Sequence, residues 1–284
     1  MNDAPSAYAP VRLSWVVLSW NSSRYIEACV RSLVREGAGQ HDEIWVVDNG
    51  STDGTVEILK RLTVEFPDMM TVLYLSENKG TTVSRNLALT RARGTYVAVV
   101  DSDVMVPQGT IASLIATLNA DPKCGLVAPR MVFPSGRAQL STDVFPTLQR
   151  KIQRLLALKR IERQSESQPV PSAPTPVDYA ISAFWLLRRE VIDAVGPLDE
   201  RIFYSPEDVD YCIRVWRSGF SVVYDPRVFS IHDAQEISRR SWLSWPALSH
   251  AKGLVYLFWK HRYAWSRTAL YERIGRAPLK ASAA

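Results

Sequence analysis

Cysteine is scarce. Cys29, Cys124 and Cys212 are odd in number and widely separated along 284 residues, which supplies neither a disulfide framework nor the paired spacing of a zinc site and fits a reducing compartment. Long apolar runs are missing too, since none approaches the ~20 residues that cross a bilayer as a helix. The apolar stretch Leu13 to Trp20 follows Asp3 and has no small-residue cleavage signal behind it, so it reads as a buried strand rather than the core of a secretion signal. Basic residues are scattered and no recognised nucleic-acid motif occurs, which gives little support to a nucleic-acid binder. A net charge of +5 favours anionic partners, nucleotide phosphates or a membrane surface among them, without choosing between them. Apolar (46%) and charged (22%) shares are those of a globular protein.

What is present is a regular alternation. Strand-like runs cover Leu13 to Ser19, Glu43 to Val47 with Asp48 behind it, Thr71 to Leu75, and Tyr96 to Asp101. Helical spacing covers Ser22 to Val34, Thr52 to Phe66, and Thr81 to Arg93 before Gly94. Another helix is predicted after Pro107, then a strand at Gly125 to Ala128. Repeated units of this kind predict an α/β fold whose mostly parallel sheet is flanked by helices and binds ligands above its carboxyl edge. The pattern then changes. Leu148 to Arg163 is basic and helical, and Gln164 to Pro176, rich in Ser and Pro, predicts a flexible loop. Val177 to Leu187 predicts a strand and Arg188 to Val195 a short helix stopped by Gly196-Pro197. Ser205 and Asp208, with Pro206 at the first helical position, predict a capping box opening the next helix. Phe220 to Tyr224 reads as a strand, and from Ser241 onward the chain is helical, aromatic and basic.

Three groups of carboxylates stand at the ends of these elements. The segment YVAVVDSD places Asp101 and Asp103 just past a buried strand, where paired oxygen ligands hold Mg²⁺ or Mn²⁺ together with substrate phosphates. The same pair also reads as a helix cap with a solvated neighbour. Asp48, in VVDNGSTDG, reads either as an acceptor for a nucleobase or ribose hydroxyl or as part of a turn in which Asp53 or Ser51 caps a helix. Glu207 and Asp208 read as a general base at a helix start or as groups that complement the helix dipole. Asp210 points away from Asp208 and reads as structural.

Taken in order, Ser19-Trp20-Asn21, VVDNGSTDG, ENKG with SRN, VVDSD and PEDVDYCIR resemble the family 2 glycosyltransferases over residues 11 to 235, and the layout is most similar to rhamnosyltransferase-like members. The resemblance implies a GT-A fold, the nucleotide-diphospho-sugar transferase fold, over residues 11–240. Within it, 11–130 would form the nucleotide-binding half and 177–240 the acceptor and catalytic half, with the Ser/Pro loop 164–176 between them and a helical extension at 241–284. It also implies that Ser19, Trp20, Asp48, Asn78, Arg85, Asp101 and Ser102 contact a nucleotide-diphosphate sugar donor. Asp103, joined by Asp101 and His232, would hold Mg²⁺ or Mn²⁺. Asp208, with Glu207 in reserve, would act as base in an inverting transfer to a hydroxyl of a glycan or lipid-linked saccharide, as in bacterial surface polysaccharide synthesis. AISAFWLLRRE, from Ala180 to Glu190, resembles the family's acceptor-side GAFLLVRRE with Ser182 in place of its glycine, and Phe184, Trp185 and Leu187 read as core.

The extension sets Trp242, Trp245, Trp259 and Trp265 beside Lys252, Lys260, Arg262 and Arg267. It reads as an interfacial helix on the inner face of the cytoplasmic membrane, or as a helix packed on the catalytic unit or in a homodimer. The expected location is cytoplasmic. Two rival readings stand beside the transferase. VVDSDV resembles the nucleophile motif of haloacid-dehalogenase phosphatases, although that motif ordinarily ends the first strand. A non-catalytic module that binds a sugar nucleotide or glycan would keep the fold without the transfer.

Overall fold

The computed structural model describes residues 10–37, 39–150, 171–234 and 245–276. The predicted alternation forms in order, as β1 (Leu13–Ser19), α1 (Ile26–Glu36), β2 (Asp42–Asp48), α2 (Thr55–Glu65), β3 (Met70–Tyr74), α3 (Thr81–Leu89) and β4 (Tyr96–Asp101). Next come β5 (Val104–Met105), α4 (Thr110–Ala120), β6 (Cys124–Val132), β7 (Ala138–Gln139) and β8 (Thr142–Asp143). The remaining elements are β9 (Thr175–Pro176), β10 (Tyr179–Ala180), β11 (Phe184–Arg188), α5 (Arg189–Val195), α6 (Glu207–Arg217), β12 (Ser221–His232), α7 (Trp245–His261) and α8 (Thr268–Arg273).

The sheet runs β3-β2-β1-β4-β11-β6-β12-β5. Strands β3, β2, β1 and β4 are parallel, and so are β6 and β12. Strand β11 lies antiparallel between β4 and β6. Its start, not its end, therefore reaches the carboxyl edge, where the Asp101 amide donates to the Ala183 carbonyl at 2.9 Å. Both faces are covered. Val16, Val97, Val99, Trp185 and Leu187 fill one layer, while Trp15, Val17, Ala98, Val100 and Phe184 fill the other. Burial on both faces is why these strands read as continuous apolar runs rather than alternating ones. Leu257, Leu270 and Tyr271 join the first layer, so the described part of the C-terminal extension shares the core of the sheet. Asp178 fastens it, accepting hydrogen bonds from the Tyr271 hydroxyl at 2.5 Å and from Arg276 at 2.6 Å.

Some expectations are corrected. Val177 to Leu187 is not one strand, because the chain turns at Ser182 and Ala183 between β10 and β11. The capping box at Ser205 does not form: Pro206 precedes the first helical residue of α6 without a side-chain cap, and the Ser205 hydroxyl meets His250 Nδ1 at 3.0 Å instead. The end of the Ser/Pro segment is structured, with Thr175 and Pro176 paired to β12, whereas residues 151–170 lie outside the described residues.

Candidate active site

The parallel register sets the strand tips level. Ser19 pairs with Asp48, and Leu18 with Asp101. Asp48 is 1% exposed; its Oδ2 accepts the Ser51 amide at 3.1 Å, while Oδ1 is buried without a partner among the described residues. Ser19 Oγ is in the same condition. A buried unsatisfied polar atom costs about 1–3 kcal/mol, so two of them on adjacent strand tips are suited to a ligand with its own hydroxyls. Trp20, 42% exposed, stands beside them with its ring available for stacking.

Across the edge, one ligand atom each from Asp101, Asp103 and His232 lies within 4.8 Å of the others. Strand β12 produces this meeting, since His232 pairs with Val104 and the Asp233 amide donates to the Asp103 carbonyl at 3.0 Å. His232 Nε2 sits 3.4 Å from Asp103 Oδ1, and its Nδ1 is 2.8 Å from Gln139 Oε1. The Gln139 amide oxygen accepts a hydrogen bond from Nδ1–H and leaves Nε2 to face the carboxylates, as metal-binding histidines are commonly oriented. Burial opposes charge on His232, but the hydrogen bond and negative charge of Asp103 raise its pKa above the ordinary value. Burial raises that of Asp101, against the pull of Arg85.

Behind the metal-type cluster lies a buried cation. Arg85 is 1% exposed and pairs with Asp101; its Nη1 also donates to Ser182 Oγ at 2.7 Å and reaches Glu207 Oε1 at 3.4 Å. Ser182 Oγ in turn donates to Glu207 Oε1 at 2.7 Å. Arg85, expected at the donor, joins Asp101 of β4 to Glu207 of α6 beneath the cleft. Burial first, and then the charge of Asp208, push the Glu207 carboxyl well above the ordinary glutamate range. Asp208 is half-buried, with Oδ1 accepting the Val209 amide at 2.8 Å.

Two expected donor residues have side chains engaged in loop geometry. Asn78 Oδ1 accepts from Asn49 Nδ2 and from the Gly80 amide, both at 2.9 Å. Ser102 Oγ lies 2.7 Å from Ser22 Oγ. Gly80 is required there, because its φ is +87° and an added Cβ would stand 2.5 Å from the Phe203 carbonyl.

Residues 14–196 match the model of the family described as Glycosyl transferase family 2. The chain belongs to that family. Among relatives of this family 2 chain, the Bacillus subtilis glycosyltransferase TuaG, named for teichuronic acid biosynthesis, is 43% identical over 91 residues, which is 32% of this chain and 35% of TuaG. The chain thus spans about a third of that relative. The N-acetylglucosaminyl-diphospho-decaprenol L-rhamnosyltransferase of Mycobacterium tuberculosis is 27% identical over 256 residues, 84% of this chain and 78% of the relative. Among solved structures, a Pyrobaculum calidifontis mannosyltransferase in complex with GDP-Man and Mn²⁺ superposes with a TM-score of 0.62 at 20% identity, covering 96% of this chain and 72% of that one. Staphylococcus aureus TarS 1-349 with UDP-GlcNAc gives 0.60 at 19% identity, covering 93% and 72%. Likeness at these identities concerns the fold, which is GT-A.

The haloacid-dehalogenase reading finds no support in this family 2 chain, whose Asp101 ends the fourth strand of the series rather than the first. Sequence reasoning missed Gln139 as the orienting partner of His232, and it saw Ser182 only as a departure from glycine. Neither sits in a pattern of its own: Ser182 lies in the turn before β11, which pairs with distant β4, and Gln139 lies on β7, whose hairpin partner β6 pairs with distant β12. Asp210 is structural as expected: it is 1% exposed, and His261 Nε2 and Lys260 Nζ approach it at 2.7 and 2.6 Å.

Proposed function

We propose that the protein is an inverting glycosyltransferase that moves a sugar from a nucleotide-diphosphate donor to a hydroxyl of a glycan or lipid-linked saccharide. One observation carries the reading: unsatisfied Ser19 Oγ and Asp48 Oδ1 and the Asp101–Asp103–His232 cluster share one sheet edge, and Arg85 and Ser182 tie that edge to Glu207, beside Asp208 at the start of α6. That is the sequence of chemistries a nucleoside, a diphosphate and an acceptor hydroxyl require. The mannosyltransferase and TarS structures with GDP-Man and UDP-GlcNAc support the donor class, and the decaprenol-linked acceptor in the rhamnosyltransferase's name supports a lipid-linked one. We place the activity on the cytoplasmic side, at the inner membrane face.

Two carboxylates and an imidazole turned by Gln139 suit Mg²⁺ or Mn²⁺. Asp103, Asp101 and His232 Nε2 would hold such an ion, which supplies Lewis-acid neutralisation of the departing diphosphate. Asp48 and Ser19 fix the nucleoside, and Trp20 stacks on its base. Glu207 is a poor base while burial keeps it protonated, so the acceptor proton passes to Asp208. Positioning of acceptor and anomeric carbon by these fixed groups supplies much of the rate.

Asp208→Asn is expected to lower transfer by at least about 10³-fold with donor binding intact, measured by turnover and by thermal shift with a nucleotide-sugar panel and Mn²⁺. Near-normal turnover would remove Asp208 from the role. Donor binding by the wild-type protein without hydrolysis or transfer would favour the non-catalytic binding module.

A further inference from the structure

Helix α7 has two contrasting faces. Its inner face is built for close packing: an added Cβ on Gly253 would stand 2.3 Å from the Ser205 carbonyl, Leu257 is fully buried, and His250 Nδ1 reaches Ser205 Oγ at 3.0 Å. Ser205 lies two residues before Glu207, so this face rests on the start of α6. The outer face carries Leu248 (60% exposed), Val255 (70%) and Trp259 (71%), with exposed Lys252 in the same row. Steps of four, three and four residues keep these side chains on one stripe of a helix.

The surroundings are basic. Trp265 is 70% exposed just beyond the helix, Arg262 and Arg201 are exposed, and a groove of about 690 Å³ beside Trp259 is lined by Arg201 and Arg262 together with Asp199, whose charge Lys260 offsets at 2.6 Å. No acidic residue occurs between Trp245 and His261. An apolar stripe with Trp at one end and Lys or Arg along its flanks is the composition of a helix lying in a lipid interface, and anionic headgroups complement its charge. A second copy presenting the same face would set Lys252 and Arg262 against their own kind. No helix among the described residues is long and apolar enough to cross a membrane, so contact of this kind is peripheral.

We infer that α7 docks the protein on an anionic lipid bilayer through Leu248, Val255 and Trp259, and thereby seats the Glu207–Asp208 end of α6 over the membrane surface. The distance involved is about one helix diameter, ~10 Å. Under the glycosyltransferase reading, on which this consequence rests, the acceptor hydroxyl arrives from the bilayer and not from bulk solution. Docking would raise the local concentration of a lipid-linked acceptor without any new contact to the donor.

The test uses the full chain with vesicles of phosphatidylglycerol mixed with phosphatidylcholine, and of phosphatidylcholine alone. Co-sedimentation is expected with the anionic vesicles, weakening as salt rises, and Val255→Ser with Trp259→Ser should lower it at least about tenfold. Mn²⁺-dependent hydrolysis of a nucleotide sugar should be unchanged in the double variant, which shows that it folds. Equal or absent sedimentation with the two vesicle types overturns the inference. So does a dimer in light scattering that the double variant abolishes, since the stripe would then pair copies of the chain. Vesicle binding with neither hydrolysis of a nucleotide sugar nor its transfer would overturn the glycosyltransferase reading and leave the docking standing, and either activity without vesicle binding would do the reverse.

Discussion

Ser182 shows how one atom can tie two parts of a site. Its hydroxyl accepts from Arg85 and donates to Glu207, each at 2.7 Å, and without it the guanidinium and carboxyl are left with a 3.4 Å contact. Removing one member of a buried network exposes its partners' unmet hydrogen bonds, at about 1–3 kcal/mol. Ser182→Ala is therefore expected to lower the unfolding free energy by about that amount and to slow transfer by about tenfold, with donor KM little changed. Denaturant unfolding and steady-state kinetics read the two effects. An unaltered kcat would mean that the hydroxyl braces the fold without placing Glu207. Asp101, Asp103, Glu207 and Asp208 were legible because carboxylates at element ends stand out along a chain. The link from Asp101 to Glu207 was not, because Arg85 and Ser182 meet through contacts of Arg85 with the turn before β11, 97 residues away.

At the scale of elements, α7 owes its position to a glycine. Within a helix Gly costs about 1 kcal/mol relative to Ala, so Gly253→Ala in a loosely seated helix would stabilise the protein. Here the added methyl would overlap the backbone at Ser205, and overpacking of that kind costs about 1–3 kcal/mol. The overlap outweighs the gain in helix propensity, so Gly253→Ala should lower Tm and, by shifting the start of α6, reduce transfer. A rise in Tm would contradict the packing. Helix and strand existence was readable from periodicity, while several ends were not. Thr52 to Phe66 shortens to α2 at Thr55, after Gly54 at φ +81°, and Val177 to Leu187 divides at a turn that apolar residues on both sides conceal.

For the whole molecule, α6 carries carboxyls displaced in opposite directions. Burial raises Glu207. Burial would raise Asp210 as well, but hydrogen bonding from His261 and the charges of Arg214 and Lys260 bring it down to about 2. A folded pKa below the unfolded value of about 3.9 means that Asp210 contributes stability above pH ~4, and that this is lost as pH falls toward ~2, at most about 2–3 kcal/mol. Denaturation midpoints of the wild type should therefore drop between pH 5 and pH 2 more steeply than those of Asp210→Asn, which should already be less stable at pH 7. Parallel curves would show that the anchorage of α7 by Lys260 and His261 contributes nothing to acid stability.

Composition and periodicity alone determined the α/β class, the four leading parallel strands and the carboxylates that end two of them, Asp48 and Asp101, because those features depend on neighbours in sequence. Which groups share one edge was decided by the tertiary structure. The antiparallel insertion of β11 turns Ser182 toward Arg85, and the pairing of β12 with β5 sets His232 against Asp103. Both depend on hydrogen bonds between strands far apart in the chain, and local propensity does not encode such pairings.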